Sequence, residues 1–142
     1  MAIRINCEDL NSKKKVDLAE ARRTAMAVLK ASGVRSGELN IRFVDDPAIR
    51  TLNRRYLGRG YATDVIAFEG GKGHLGDVAI SFDTAARDAV RYGVPVEREI
   101  RLLVIHGTLH VLGYDDVTAR GRKIMRKKEN EFIQSTTRPK GR

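Results

Sequence analysis

The stretch of sequence that decides the fold runs from Leu102 to Asp116 and reads LLVIHGTLHVLGYDD. Its first residues are apolar on every side of a helix, which is typical of a helix buried in a core. Pro95 is suited to open this helix, and Gly113 is suited to end it. The sequence therefore predicts a central buried helix over residues 95–112, against which the rest of the chain packs.

Two histidines, His106 and His110, lie four residues apart on this helix. At about 3.6 residues per turn they share one helical face, so both imidazoles can bind one ion. Asp116 follows six residues after His110, and Gly113 lets the helix end sharply enough for this third side chain to turn back. Three protein ligands and a water form the open tetrahedral site of catalytic zinc. We therefore predict one zinc-like ion bound by His106, His110 and Asp116.

The same residues allow other interpretations. A histidine pair on an apolar helix is often a hydrogen-bonded core feature, although two unpaired imidazoles are costly to bury there. Asp115 is a rival to Asp116 as the third ligand, but the spacing favours Asp116. The residues leave the native metal open, and they assign no catalytic side chain.

Outward from this helix, the hydrophobic pattern predicts an α+β fold in one layered domain over residues 1–135. Alternation and short apolar runs predict strands near Ile3–Cys7, Leu39–Phe43, Val65–Phe68 and Gly76–Ser81, the last two joined as a hairpin by a glycine-rich turn. Further helices are predicted over 16–32, from 46 to 56, over 82–92 and over 117–134. Asp46 is predicted to cap the second of these, with Pro47 at its first position. We expect a small, mostly four-stranded sheet packed against the helices.

The chain has 142 residues and a formal net charge of +9, which is concentrated at one end. From Arg120 to Arg142 there are nine Lys or Arg against two Glu. Such a bias is typical of a surface that meets a polyanion, with nucleic acid first, and a solubility tail is the alternative. We predict a flexible basic tail at residues 136–142. RNA is the expected partner, without a membrane or a nucleotide cofactor.

Other features of the composition exclude broad classes. No stretch approaches the roughly 20 apolar residues that a membrane span needs, and the first residues lack an apolar signal core. A cytoplasmic location is therefore expected. Cys7 is the only cysteine, which rules out an internal disulfide, and we expect it to be a buried structural thiol.

The string from His106 to Asp116 resembles the signature of the YbeY family of bacterial endoribonucleases and rRNA maturation factors, His-Gly-x-Leu-His-Leu-x-Gly-Tyr-Asp-His. Three further segments are similar to that family in the same order: Leu52-Asn53-x-x-Tyr56, Ala62–Phe68 and Leu75–Ile80. The resemblance covers roughly residues 40–133. It implies a single-strand-specific, metal-dependent endoribonuclease that matures the 3′ end of small-subunit ribosomal RNA. It also implies a role in ribosome quality control, with ribosomal particles as partners.

The chain departs from that family at three positions. Asp116 replaces the family's third histidine, which adds negative charge and makes a bound ion a weaker electrophile. Leu57 stands where most members have an arginine. We expect Arg55 and Arg59, on either side of it, to bind RNA phosphates instead, with a solvated helix end as the alternative. Ala62 replaces a proline, which loosens that loop.

Two other functions compete with RNA cleavage. Metzincin-type proteases share the ligand spacing, but they place a glutamate base directly after the first histidine, where this chain has Gly107. Glu99 is about 10 Å from His106 by helix rise, and we expect it at the surface or behind a ligand. The third candidate is an RNA-binding ribosome assembly factor whose metal is structural.

Two more polar residues lie near the glycine-rich turn. Asp77 follows Gly76 on a predicted strand, where it can either orient a metal-binding histidine or cap a neighbouring helix. His74 is the only histidine besides His106 and His110. Because it lies beside the turn, we expect it to be exposed.

Overall fold

A computed structural model of the chain describes residues 2–136 and confirms the predicted α+β class. Within those residues a mixed sheet is combined with helices. The elements are β1 (Ile3–Asp9), α1 (Leu18–Ala31), β2 (Gly37–Val44), α2 (Asp46–Leu57), β3 (Val65–Glu69), β4 (His74–Ser81), α3 (Phe82–Tyr92), α4 (Val96–Val111) and α5 (Ala119–Ser135). The predicted tail at 136–142 lies outside the described residues except for Thr136, which caps α5.

The four strands are arranged in the order β1-β2-β4-β3, so β4 lies inside the sheet and β3 forms one edge. β1 and β2 run parallel, and so do β2 and β4, which place Ile41 beside Val78. β3 and β4 form the predicted antiparallel hairpin, in which Val65 pairs with Ile80. Parallel neighbours need a crossover connection, and α1 supplies the one between β1 and β2.

One face of the sheet is apolar and packs against α1, α3 and α4. Its buried side chains come from alternating positions of β2 and β4: Leu39, Ile41, Phe43, Val78 and Ile80. Val78 and Ile80 thus point the same way, as predicted. Burying one such side chain contributes about 1.5–3 kcal/mol, so this face joins the layers. The opposite face carries polar side chains, including Asn40, Arg42 and Asp77, and α2 covers part of it.

The start of α2 differs from the prediction by one residue. Asp45, not Asp46, is the N-cap, and its carboxylate makes no capping bond because it accepts from Ser12 instead. Asp46 lies in the first turn, next to Pro47. Its carboxylate accepts from three side chains at the β4–α3 junction: Ser81, Thr84 and Arg87. In the pattern Asp-Asp-Pro either aspartate can be the N-cap. The hydrogen bonds to Asp46 from the β4–α3 junction place Asp46 inside the helix and leave Asp45 as the cap.

α4 is the central buried helix that the sequence predicts, and it contacts α1, α3, α5 and the β3–β4 hairpin. Gly107 lies where α4 meets the hairpin. A Cβ built at this position would be 2.5 Å from Cγ1 of Val78 and 3.3 Å from Cγ2 of Val65. Only a glycine therefore permits this approach of helix and strands. Although α4 is strongly apolar, no helix among residues 2–136 is both long and apolar enough to span a membrane.

Candidate metal centre

The chain reverses direction immediately after the second histidine of α4. Gly113 has a φ of +101°, in the region that favours glycine. Its N–H donates to the carbonyl of His110, and the N–H of Tyr114 donates to the carbonyl of Leu109. These bonds satisfy carbonyls at the end of the helix. The turn then carries Asp116 back toward α4, as the position of Gly113 predicts.

The structure brings His106, His110 and Asp116 together, with one donor atom of each within 4.8 Å of the others. Nε2 of His106 lies 3.6 Å from Oδ2 of Asp116, and Nε2 of His110 lies 3.6 Å from Oδ1 of the same carboxylate. Asp115 is occupied differently, because its Oδ1 accepts from the N–H of Val117. The turn therefore presents the second aspartate, rather than the first, to the histidines.

These donor atoms fit a small divalent cation. In a tetrahedral zinc site with bonds of about 2.1 Å, the donor atoms lie about 3.4 Å apart. The two nitrogen–oxygen distances of 3.6 Å, which join the imidazoles to different oxygens of the one carboxylate, are close to that spacing. The side chain of Asp116 is 45% exposed, so the cluster opens to solvent on one side, as a catalytic site requires.

Glu129 on α5 completes the surroundings of His106, and sequence reasoning missed it. Its carboxylate contacts Nδ1 of His106 and is largely buried. A proton on Nδ1 donates to this carboxylate and leaves the lone pair of Nε2 free, which is the arrangement that orients a metal-binding imidazole. The sequence did contain one signal for it: Glu129 is an acidic residue that follows a mostly cationic stretch of the helix, on the side of the helix that faces the core.

The two histidines differ in their electrostatic surroundings. Burial alone would lower the pKa of His106, but the hydrogen bond and the charge of Glu129 outweigh it, and the pKa is raised. Burial, together with the neighbouring His106, lowers the pKa of His110. His110 is therefore held in the neutral form that a metal ligand needs, while His106 is held in place by a carboxylate.

Two further carboxyl groups, one partly and one fully buried, lie on the elements around the cluster. Asp64, which directly precedes β3, has a pKa raised by burial, and its charge interacts with that of His106. Glu99 was expected at the surface or behind a ligand, but it is only 4% exposed and shares no hydrogen bond with either histidine. Burial raises the pKa of Glu99, and the charges of Asp88 and Asp64 raise it further. The expected surface position is wrong because neighbouring elements enclose this part of α4.

The two arginines predicted to bind phosphate lie at the end of α2. Arg55 is in the last turn, with its guanidinium 5.6 Å from the ring centroid of Tyr56, and Arg59 follows Gly58 in the next loop. Both are exposed. Among the described residues, no hydrogen bond or ion pair joins either arginine to the three candidate ligands. Leu57 between them is also exposed.

Asp77 has neither of the roles considered for it. Its carboxylate accepts from the amide of Asn40 and contacts Nε2 of His74, both at 3.0 Å. These three side chains lie on the polar face of the sheet, whereas the candidate ligands are on α4 and the turn after it. His74 is partly buried by this contact rather than fully exposed.

Arg122 fixes the loop that carries the third candidate ligand. Its guanidinium donates to the main-chain carbonyls of Asp116 and Val117 at 3.3 and 3.0 Å. Thr118 caps the helix by accepting from the N–H of Gly121. The first turn of α5 therefore holds the position of Asp116 as well as beginning the helix.

Comparisons with known proteins identify the family and support the fold. A family model described as Endoribonuclease YbeY matches residues 6–137. A protein of that name from Syntrophus aciditrophicus is 40% identical over 143 residues, covering 94% of this chain and 89% of its own. Another from Pelotomaculum thermopropionicum is 43% identical over 122 residues, covering 78% and 80%. The solution structure of a Thermotoga maritima protein has a TM-score of 0.68 at 24% identity, covering 94% and 88%, which supports the fold. The resemblance seen in the sequence is thus confirmed, and the chain belongs to the YbeY endoribonuclease family.

Proposed function

We propose that the protein is a zinc-dependent endoribonuclease that cleaves single-stranded RNA in the cytoplasm. Its substrate in this proposal is the 3′ end of small-subunit ribosomal RNA, on ribosomal particles, both in maturation and in quality control. The observation that carries the proposal is the cluster of His106, His110 and Asp116 at the end of a buried helix. Membership in an endoribonuclease family supports the reaction class.

His106, His110 and Asp116 would hold the ion. When bound, zinc supplies Lewis acidity and lowers the pKa of a bound water. Two imidazoles and a carboxylate are a donor set that suits zinc. Glu129 orients the ring of His106, and Arg122 holds the loop of Asp116, so the donors are positioned by a helix that carries no ligand itself.

The surface of α5 supports RNA as the polyanion. Six cations fall within its first ten residues: Arg120, Arg122, Lys123, Arg126, Lys127 and Lys128. In the part of the chain that the structure describes, none of them forms an ion pair with a carboxylate. Apart from Arg122, whose guanidinium donates to the loop of Asp116, they are therefore available to phosphates, whose binding releases counterions and makes affinity depend on salt.

Arg55 and Arg59 are proposed as a second phosphate-binding group. Both are exposed, and within residues 2–136 neither forms an ion pair. The loop that follows them is tied to α2, because the amide of Asn53 donates to the carbonyl of Tyr61 at 2.8 Å. That loop leads directly to Asp64, whose charge interacts with His106. The segment after the two arginines thus connects α2 to a carboxyl group that interacts with a candidate ligand.

Packing argues against peptide hydrolysis. A metzincin-type glutamate base would replace Gly107, but that position lacks room even for a Cβ beside Val78. Glu99 does not replace this glutamate as the general base, since it is buried and forms no hydrogen bond with the candidate ligands. The site therefore has the ligand spacing of such a protease without the group that activates its water.

The proposal is tested by metal analysis combined with RNA cleavage. About one zinc per chain should co-purify, and cleavage of a single-stranded RNA should stop on chelation and return when zinc is added. Asp116→Ala should abolish both metal binding and cleavage, whereas Asp115→Ala, the matched control, should retain both. Cleavage that survives complete metal removal would contradict the mechanism. RNA binding without cleavage under any metal condition would instead identify an assembly factor.

A further inference from the structure

A groove of about 470 Å³ lies on the polar face of the sheet, beside α2. Its walls and floor include Asn40, Arg42, Leu52, Tyr56, Phe68 and Asp77. The volume is in the range of sites that bind small organic groups. None of these residues belongs to the candidate metal centre, so the groove has no role in the function described so far.

One wall of the groove is aromatic. Tyr56 is 55% exposed although its ring meets that of Phe68 edge to face, with centroids 5.2 Å apart. The guanidinium of Arg55 lies 5.6 Å from the centroid of the same tyrosine ring. An exposed ring that is fixed by a second ring and flanked by arginine is typical of surfaces on which unpaired bases stack.

The lining of the groove includes polar side chains and charges of both signs. Asp77 on the floor uses two of the roughly four lone-pair sites of a carboxylate, for Asn40 and His74, and can accept further bonds from the N–H groups of a base. Arg55 lies beside the groove, against the ring of Tyr56, and Arg59 follows two residues after the end of α2. Arg42 also lines the groove, but its guanidinium pairs with Glu8 at 3.2 Å. Arg55 has no ion pair among the described residues, so this arrangement favours a nucleotide whose base lies on the floor and whose phosphate lies beside Arg55.

The edge strand β3 separates the groove from the metal centre. Val65 of β3 faces α4 beside Gly107, whereas Ile66 and Phe68 pack on the α2 side with Ile49. An RNA that reaches both sites must therefore bend around the edge of the sheet. A flexible single strand can do this within a few nucleotides, and a rigid A-form duplex cannot.

We infer that this groove binds an unpaired nucleobase of the RNA substrate, with Tyr56 as the stacking partner and Asp77 as the acceptor for N–H groups of the base. The inference rests on the proposed ribonuclease function and adds to it a base-binding subsite away from the metal. It also gives a structural reason for a preference for single strands.

The test uses the metal-loaded protein and a short single-stranded RNA that contains 2-aminopurine, whose fluorescence is quenched by stacking. Wild-type protein should quench the probe. Tyr56→Ala should abolish the quenching and weaken the Kd about tenfold, as expected for the loss of one stacked base. Tyr56→Phe should retain both. Tyr92→Ala is the matched control, since this tyrosine is 63% exposed at the end of α3. An abasic strand of equal length should bind wild type and Tyr56→Ala alike.

Unchanged quenching and an unchanged Kd in Tyr56→Ala would overturn the inference and leave the groove to a peptide ligand. If that variant does not fold, a 4-thiouridine strand should cross-link wild-type protein at residues 40–42, 46–57, 65–69 or 77–79, and cross-links confined to other segments would overturn it equally. The proposed function fails separately. Quenching without any RNA cleavage would support base binding in the groove and contradict the nuclease function. Cleavage without quenching would support the nuclease function and contradict base binding in the groove.

Discussion

Helices α1 and α5 both pack against α4, but they bury very different surfaces. α1 buries five residues, which are small or apolar except for one threonine: Ala21, Thr24, Ala25, Val28 and Leu29. α5 is longer and buries only Met125 and Ile133. It supplies instead Glu129, which contacts His106, the guanidinium that holds the loop of Asp116, and a cluster of six cations. One neighbour of α4 thus stabilises the fold, and the other forms the site.

The largest expected effect is loss of the metal from the α5 side of α4. His106→Ala and His110→Ala each remove one of three ligands, so zinc content should fall from about one per chain to near zero. Because both side chains are partly exposed, the fold should remain. Zinc analysis with circular dichroism measures the two quantities, and full metal occupancy in the double variant would refute the ligand assignment.

Truncation of a buried side chain on α1 should lower the stability of the fold and leave metal binding intact. Leu29 is fully buried, so Leu29→Ala should lower the free energy of unfolding by about 2–5 kcal/mol. Urea denaturation measures this change, with exposed Arg23→Ala on the same helix as the control. The folded fraction should still bind one zinc. A variant that keeps its stability but loses zinc would reverse the roles given to the two helices.

Glu129→Gln tests the link between α5 and the metal. The amide still contacts His106 but no longer accepts with a full charge, so zinc affinity should fall about 10–100-fold. Competition with a chelating dye measures that affinity. Glu131→Gln, two residues further along the same helix and exposed, should have no effect. An equal loss in both variants would show a general charge effect rather than support of one ring.

The cations of α5 should matter for RNA and not for zinc. Lys123→Glu and Lys127→Glu should each weaken RNA binding and lower the slope of log Kd against log salt by about one. Arg23→Glu on α1 makes the same charge change on the other helix and should leave that slope unaltered. Equal slopes for all three variants would mean that α5 is not the RNA-binding surface.

The smallest effect concerns a carboxyl group on α4 itself. On the α1 side Arg101 pairs with Glu20 at 3.9 Å, but Glu99 faces the like charges of Asp88 and Asp64. Burial and these charges raise the pKa of Glu99 above its ordinary value of 4.5, so ionisation weakens the fold as pH rises through the raised pKa. Glu99→Gln should therefore raise the melting temperature at pH 7 to 8 and have little effect below about pH 4. Equal differences at all pH values would exclude titration as the cause.

The parts of the site that the sequence predicts are those encoded locally. His106, His110, Gly113 and Asp116 fall within eleven consecutive residues, and helix periodicity with one glycine turn is enough to bring them together. Glu129 lies 23 residues from His106, and only the packing of α5 on α4 brings them into contact. Asp64 depends likewise on where β3 lies. Whether Arg55 and Arg59 bind phosphate stays a prediction.

The fold shows the same division between local and distant information. The β3–β4 hairpin is predictable because its glycine-rich turn joins neighbours in sequence. The insertion of β4 beside β2 is not, since it depends on the apolar face shared by Ile41 and Val78. The position of Glu99 was mistaken for the same reason, because its burial depends on elements distant in the chain.

The contact between Gly107 and the hairpin also has an evolutionary consequence. Since a Cβ at this position would lie 2.5 Å from Val78, a larger residue there requires a simultaneous change on β4. Either change alone is disfavoured, the first by overpacking and the second by a cavity. A lineage with this helix therefore cannot gain the glutamate of a metalloprotease through single tolerated substitutions. RNA cleavage and peptide hydrolysis can therefore share a ligand spacing and still be hard to interconvert by evolution, because the side chain of Val78 packs against a position that has room only for the hydrogen of Gly107.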